Sequence, residues 1–264
     1  MSPEMFFWLA LLIKMVVAAC FVVGATVTAE RAGPVIGALI ATLPVSAGPA
    51  YVFLALDHEP SFIAQSALAS LALNGATAIY AVTYVLLAQR HGFAVSVPLS
   101  FLAWLVSVPV LVWLGPTTAT AILLNVAIFP LAYAIVRRYR NVPMPSNPLR
   151  WYDFAVRAAL VAALVGAVVG LSFRIGPAAT GVLAAFPVVF TSIMFILHWR
   201  VGGPAAAAVL ANAIIGLAGF GMAVLTLHVL AVPAGLALAL ISALLVAIAW
   251  NLGIYSLRRG GLAI

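Results

Sequence analysis

Residues 31–45 read RAGPVIGALIATLPV, and residues 174–188, at an offset of 143, read RIGPAATGVLAAFPV. Each stretch places a Gly-Pro pair after an arginine and a second proline ten residues later. The positions of the first half at which the same residue recurs at this offset include Trp8, Ala19, Arg31, Gly33, Pro34, Ala41, Pro44 and Val45. A repeat at one fixed offset predicts that the chain consists of two copies of one structural unit.

The composition of the chain indicates an integral membrane protein. Hydrophobic residues make up 66% of the sequence and charged residues 6%, and the mean hydropathy is +1.26, outside the range of soluble domains. Long apolar stretches bounded by short polar turns indicate spanning helices, because barrel strands would alternate polar and apolar residues. With Cys20 as its one cysteine, the sequence predicts no disulfide framework and no cysteine-based metal cluster.

The apolar stretches predict an all-α polytopic protein with nine transmembrane helices. The predicted spans are 5–28, 33–56, 62–88, 94–114, 117–138, 152–172, 177–198, 204–227 and 232–256. The one extended polar connection runs from Arg137 to Arg150 and holds three prolines, which cannot continue a helix. We therefore divide the chain into a first four-helix unit (1–115), a linker helix with a cytoplasmic loop (116–150) and a second four-helix unit (151–264).

The basic residues predict the orientation in a bacterial cytoplasmic membrane, because Lys and Arg near helix ends stay in the cytoplasm. Nine arginines fall on one predicted side, namely Arg31, Arg90, Arg137, Arg138, Arg140, Arg150, Arg200, Arg258 and Arg259. The opposite side holds Arg174, Glu4, Asp57 and Glu59. We expect the N-terminus outside and the C-terminus in the cytoplasm, with membrane lipids rather than nucleic acid as partners of the basic face.

Each copy contributes four helices, and one linker helix lies between the copies. This odd helix inverts the second copy relative to the first in the membrane. Inverted copies suit alternating access in a secondary transporter, since exchanging their two conformations converts an inward-open state into an outward-open one. Common ancestry without transport is the alternative explanation of the duplication.

The repeated prolines predict where the helices start and break. Gly33–Pro34 and Gly176–Pro177 are typical of helix starts and are candidate hinges. Pro44 and Pro187 fall near the middle of their spans, where each removes a backbone hydrogen bond and frees a carbonyl. The two interpretations are a pair of broken helices that frame a substrate site, or kinks whose freed carbonyls are satisfied by Ser and Thr hydroxyls or by a neighbouring helix.

Two cations inside predicted spans are the strongest chemical signal of the sequence. Lys14 and Arg157 occupy the same position of the two copies, and no Asp or Glu falls well inside a predicted span to neutralise them. They predict an anion site, or they snorkel to an interface that Trp8 and Trp151 mark. Arg31 and Arg174, which precede the Gly-Pro pairs, are candidate gates or membrane anchors. The predicted substrate site comprises Lys14, Arg157, Thr42, Pro44, Ser46, Pro187, Thr191 and Ser192.

Other polar residues predict no enzyme, cofactor or metal centre. No Ser–His pair, carboxylate pair or metal triad falls at one depth of the membrane. Asn74, Tyr80, Tyr84, Asn125 and Asn212 are second-tier candidates that interhelical hydrogen bonding also explains. The residues Asp57, His58 and Glu59 form an acidic turn that either is solvated or holds a divalent cation together with His228.

Each copy resembles the short four-helix bacterial membrane proteins of the GlpM and DUF3147 kind. The resemblance lies in a cation early in the first helix, followed by a Gly-Pro start and a mid-helix proline in the second. It covers about sixty residues of each copy and implies a tandem fusion in the cytoplasmic membrane, without a known substrate or catalytic residue. The second copy departs from the pattern by carrying Arg157 where the first has Lys14.

These observations together favour a secondary transporter or permease for a small anionic or amphiphilic solute. A non-catalytic scaffold of the cell envelope and a channel are the alternative functions. Close-packing motifs such as Gly166-xxx-Gly170 are compatible with packing within one chain or within a homo-oligomer.

Overall fold

The computed structural model describes residues 2–31, 43, 46–114, 117–142 and 150–259, and these residues fold almost entirely into helices. The helices are α1 (Pro3–Arg31), α2 (Ala47–Asp57), α3 (Pro60–Leu87), α4 (Phe93–Trp113), α5 (Thr118–Val136), α6 (Trp151–Ala184), α7 (Val188–Val201), α8 (Gly203–Leu230) and α9 (Leu236–Arg259). A short 3₁₀ turn, Arg137–Tyr139, follows α5.

Seven of these helices are long and apolar enough to cross a membrane, and α2 and α7 are shorter apolar helices. The chain is therefore a multi-pass integral membrane protein, as its composition predicts. Of the predicted span 33–56, the helical part among the described residues is α2. The predicted span 177–198 is divided between the end of α6, which extends to Ala184, and α7, which starts at Val188.

Gly176 bends α6 at the predicted second helix start. Its φ of 75° and ψ of 174° lie in a region that glycine adopts without the steric cost of a Cβ atom. Pro177 follows at once, so that the helix resumes in a new direction as the eight-residue segment Pro177–Ala184. The Gly-Pro pair therefore separates two helical segments, and Pro177 starts the second of them, as the sequence predicts.

The centre of the bundle is α3, which packs against α4, α5, α6 and α8. It is rich in Ala and Ser, and small residues let neighbouring backbones approach closely. Helix α8 is likewise rich in small residues. At Gly203 a Cβ atom would overlap the carbonyl oxygen of Ala88, just beyond the end of α3.

Helices α3 and α8 run antiparallel. The start of α8 meets the end of α3 at Gly203 and Ala88, whereas His228 near the end of α8 lies 2.8 Å from the carbonyl oxygen of Ala64 near the start of α3. The first and last residues of the two helices are separated by the offset of 143. Midway along, Asn74 Nδ2 donates to the carbonyl of Leu217, which is its own counterpart at that offset, over 3.1 Å.

Helices α1 and α6 also run antiparallel. A Cβ atom on Gly166 would lie 2.9 Å from Sδ of Met15, and one on Gly170 would lie 3.1 Å from Cδ2 of Leu11. Residues further along α6 therefore meet residues nearer the start of α1. In each of these two pairs, the helices related by the offset cross the bundle in opposite directions.

Candidate functional site

The second predicted break is present. Helix α6 ends at Ala184, α7 begins at Val188, and Pro187 stands at the N-cap of α7 with a non-helical ψ of 57°. Pro187 lacks the N–H that would continue the helical ladder, and so the backbone is irregular over Ala185–Pro187. The first predicted break, at Pro44, lies outside the described residues, as do Gly33, Pro34 and Thr42.

Side chains of α3 donate hydrogen bonds to α6, to the break and to α7. The four hydrogen bonds are donated by Ser66 Oγ to the Pro177 carbonyl (2.9 Å), Ser70 Oγ to the Gly181 carbonyl (2.7 Å), Thr77 Oγ1 to the Ala185 carbonyl (3.2 Å) and Tyr80 Oη to Thr191 Oγ1 (3.0 Å). Tyr80 is the donor because the hydroxyl of Thr191 already donates to the Pro187 carbonyl. The interpretation in which a neighbouring helix satisfies a freed carbonyl therefore describes the Ala185 carbonyl, whereas the Gly181 carbonyl also accepts from the backbone N–H of Ala185.

The predicted site residues did not include Ser66, Ser70 and Thr77. Their signal was available, because hydroxyl-bearing residues recur along α3 at spacings of three, four and seven residues and so share one helix face. At the offset of 143 the equivalent positions of Ser66, Ser70 and Thr77 hold Val209, Ala213 and Phe220. The polar face therefore belongs to α3 alone.

This hydrogen bonding predicts the effect of removing one hydroxyl. Thr77→Val keeps the side-chain volume but leaves the Ala185 carbonyl without its partner, so we expect a loss of about 1–2 kcal/mol in the free energy of unfolding. Thr83→Val is the matched control, because Thr83 bonds only to the Ile79 carbonyl of its own helix. Unfolding in mixed micelles compares the two, and equal losses would contradict the role assigned to Thr77.

A cavity of about 110 Å³ lies beside the break in the second copy. It is lined by Pro187 and its neighbours, by Leu43 and Ser46 of the first copy, and by Thr77 and residues of α8 that include Ala213 and Leu217. The wall is mostly apolar, and Ser46 and Thr77 supply its hydroxyl groups. A second, almost wholly apolar cavity of about 480 Å³ lies between α1, α2, α8 and α9 and shares Leu43, Ala47 and Phe220 with the first.

The predicted site residues fall into separate places. Pro187 and Ser46 line the small cavity, and Thr191 and Ser192 are buried beside it with their hydroxyls bonded to carbonyls of Pro187 and Val189. Lys14 and Arg157 are not among the residues that line it. Arg157 is partly buried on α6, and the side chain of Arg31 lies outside the described atoms.

Lys14 is not an isolated cation. Its ammonium lies 2.6 Å and 2.5 Å from the two carboxylate oxygens of Asp57 at the end of α2. The expectation that no carboxylate neutralises this cation is therefore wrong. The helix α2 brings Asp57 to the level of Lys14, which sequence position alone did not reveal.

A second ion pair joins Asp153 at the start of α6 to Arg200 at the end of α7. Asp153 is fully buried, and its Oδ2 also accepts from the backbone N–H of Arg150 over 2.8 Å. Position 200 is the offset equivalent of position 57, and both ion pairs join a long helix, α1 or α6, to the end of a short apolar helix, α2 or α7. The order of the charges is reversed between the copies.

The second-tier residues form interhelical hydrogen bonds. Asn74 Nδ2 donates to Oδ1 of Asn125 over 3.0 Å, and Asn125 Nδ2 donates to the carbonyl of Leu71, which joins α3 to α5. Asn212 accepts from Arg140 over 3.0 Å, and Tyr84 Oη lies 2.8 Å from Nδ1 of His198. These contacts join helices of the bundle, and none of the four side chains lines the cavity.

The acidic turn does not assemble with His228. His228 Nδ1 donates to the Ala64 carbonyl and its Nε2 accepts from Thr118, while Asp57 pairs with Lys14. Within the described part of the chain, no group of three His, Cys, Asp or Glu side chains is placed to hold a metal ion.

His58 beside this turn has a pKa below its ordinary value, because burial disfavours its charged form. The nearby Asp57 carboxylate opposes this shift, and the Lys14 ammonium adds to it. Nε2 of His58 lies 2.7 Å from Ser172 Oγ, and the ring stacks on Phe62 with centroids 3.8 Å apart.

The lowered pKa predicts a pH dependence of stability. As the pH falls below about 6.5, the unfolded chain binds a proton at His58 before the folded chain does, so stability is lost until the lower native pKa is passed. We expect the unfolding temperature to fall between pH 7.5 and pH 5, and to fall less in His58→Gln. The exposed His91→Gln is the control, and an identical pH dependence in all three proteins would contradict this assignment.

No family model, no curated protein and no solved structure matches this chain. The similarity to the GlpM and DUF3147 proteins stays a prediction from sequence.

Proposed function

We propose that the chain is a secondary transporter of the bacterial cytoplasmic membrane, built as an inverted repeat, that moves a small amphiphilic or anionic solute between its two broken helices. The observation that carries the proposal is the antiparallel packing of α1 with α6 and of α3 with α8. Helices related by one sequence offset that cross the bundle in opposite directions are what two inverted copies require. Inverted copies with broken helices are a recurrent architecture of secondary transporters.

The small volume of the cavity supports the proposal that a substrate site lies at the break and that this structure is its closed state. Its volume of about 110 Å³ is below the roughly 300–1,000 Å³ of pockets that enclose drug-sized ligands. A solute enters only if the segments on either side of Pro187 move apart. The kink at Gly176 and the break at Pro187 are the backbone positions that absorb such a movement.

The lining of the cavity favours an amphiphilic solute. Apolar side chains such as Leu43, Phe186 and Leu217 dominate it, and the hydroxyls of Ser46 and Thr77 offer hydrogen bonds. Lys14 lies outside the cavity with its charge offset by Asp57, and in this proposal it acts at an entrance. Arg157, its counterpart, acts at the other entrance.

The two ion pairs supply a means of closing each side. Lys14–Asp57 ties α1 to α2, and Asp153–Arg200 ties α6 to α7. In inverted copies these pairs lie toward opposite faces of the membrane. Opening toward one face separates one pair while the other stays formed, which is the alternation that transport needs. The arginine-rich loops place the C-terminus in the cytoplasm in this proposal.

A static scaffold is the alternative that one observation favours. Three hydroxyl–carbonyl hydrogen bonds from α3 hold the broken segment in place, as a permanently rigid bundle would require. A transporter must instead exchange some of these bonds during its cycle.

Access to the cavity tests the proposal. Ala213→Cys in a Cys20→Ala background places one thiol on the cavity wall, and Ala163→Cys places one on the exposed face of α6 as a control. We expect a charged, impermeant methanethiosulfonate to reach position 213 slowly from either side of the membrane and position 163 from neither. Absence of labelling at 213 from both sides would favour the scaffold. An ionic current across a bilayer that does not saturate would indicate a channel.

A further inference from the structure

An apolar groove with a cation at its mouth lies between α1 and α6, and it has no role in the proposed transport. The two helices touch where Gly170 meets Leu11, and toward the start of α1 they leave a groove of about 670 Å³. Its walls are Phe7 and Trp8 on one side and Leu171 and Phe173 on the other. Trp8 is 64% exposed, so the groove opens to the surroundings of the bundle.

One cation lies at the mouth of this apolar groove. Arg174 lines the groove and is exposed. The two ion pairs of the described chain use Lys14 and Arg200, and no described carboxylate lies within ion-pair distance of Arg174. Glu4, one helical turn before Trp8, is the nearest acidic residue along α1.

An apolar groove that ends at an arginine matches the two parts of an anionic phospholipid. The acyl chain fills apolar volume between aromatic side chains, and the guanidinium donates to the phosphate. Tryptophan is typical of the level at which headgroups meet acyl chains. A second copy of the chain suits the groove less well, because a two-fold contact there would bring two Arg174 side chains together.

We propose that this groove binds one anionic phospholipid, with an acyl chain between α1 and α6 and its phosphate on Arg174. The site is separate from the cavity at Pro187, so it does not depend on transport. Arg174 is the residue that distinguishes anionic from zwitterionic lipid, and the aromatic walls contribute affinity for either.

Fluorescence of Trp8 measures occupancy of this groove. The difference between the intact protein and Trp8→Phe isolates its emission, and lipids with brominated acyl chains quench it on contact. In mixed micelles we expect brominated phosphatidylglycerol to quench at about fivefold lower mole fraction than brominated phosphatidylcholine, the effect of one cation near a headgroup. Arg174→Gln should abolish this difference, and Arg90→Gln, at an exposed site outside the groove, should preserve it.

Two further variants sharpen the test. Glu4→Gln should increase the preference for the anionic lipid, and Ala167→Phe, which fills the groove, should weaken quenching by both lipids. Equal quenching of the unmodified chain by both lipids would overturn the proposal without any variant. Shielding of Trp8 from both, with disulfide formation between two chains carrying Trp8→Cys, would assign the groove to a second copy instead.

Discussion

Asp153→Ala should lower the free energy of unfolding by about 3–5 kcal/mol, because Arg200 would keep its place in the bundle without its carboxylate partner. The carboxylate is fully buried and accepts from both Arg200 and the backbone N–H of Arg150. Losing one member of a buried pair costs far more than replacing both members with apolar groups. Unfolding by SDS in mixed micelles measures the change.

The double variant Asp153→Leu with Arg200→Met separates the cost of an unpaired charge from a loss of packing. We expect it to recover most of the stability, apart from the contribution of the Arg150 hydrogen bond. Asp57→Ala removes the partner of Lys14 in the more exposed of the two ion pairs. It should therefore lower the free energy of unfolding less than Asp153→Ala does. A double variant as unstable as the single one would show that the ion pair does not determine stability here.

Gly181→Ala should have a second large effect, of at least about 3 kcal/mol, at the upper end of the cost of overpacking. A Cβ atom at this position would overlap the backbone carbonyl oxygen of Ser66 and would lie 2.8 Å from Cβ of Ala69. Since the obstacle is backbone, no side-chain rotation relieves it. The movement would also break the hydrogen bond from Ser70 to the Gly181 carbonyl.

Gly24→Ala is the matched control for this substitution. Apart from its own helix backbone, no atom of the described residues lies within 4 Å of the Cβ position at Gly24, and alanine has a helix propensity about 1 kcal/mol better than glycine. We therefore expect it to be neutral or stabilising in the same unfolding assay. Equal stability of Gly181→Ala and Gly24→Ala would mean that α3 and α6 do not pack as described.

The sequence predicted the membrane class and most helix positions because both depend on local composition. It predicted the irregular backbone at Pro187 because proline acts through its own missing N–H. It also predicted a helix start at Gly176–Pro177, where the backbone leaves the helical conformation and a new segment runs to Ala184.

Contacts between residues far apart in the sequence could not be predicted. The pairing of Lys14 with Asp57 depends on how far α2 extends, and the spans predicted from hydropathy placed Asp57 in a loop. The support of the break by Ser66, Ser70 and Thr77 depends on which face of α3 meets α6. Neither property can be read from a single helix.

The inverted relation of the two copies is the central claim, and the sides of two equivalent turns test it most directly. His91, between α3 and α4, and Ala234, between α8 and α9, are separated by the offset of 143. Single thiols introduced by His91→Cys and Ala234→Cys in a Cys20→Ala background are labelled with an impermeant maleimide on oriented vesicles. We predict labelling of position 91 from the cytoplasmic side and of position 234 from the outside, and labelling of both from one side would contradict the inverted repeat.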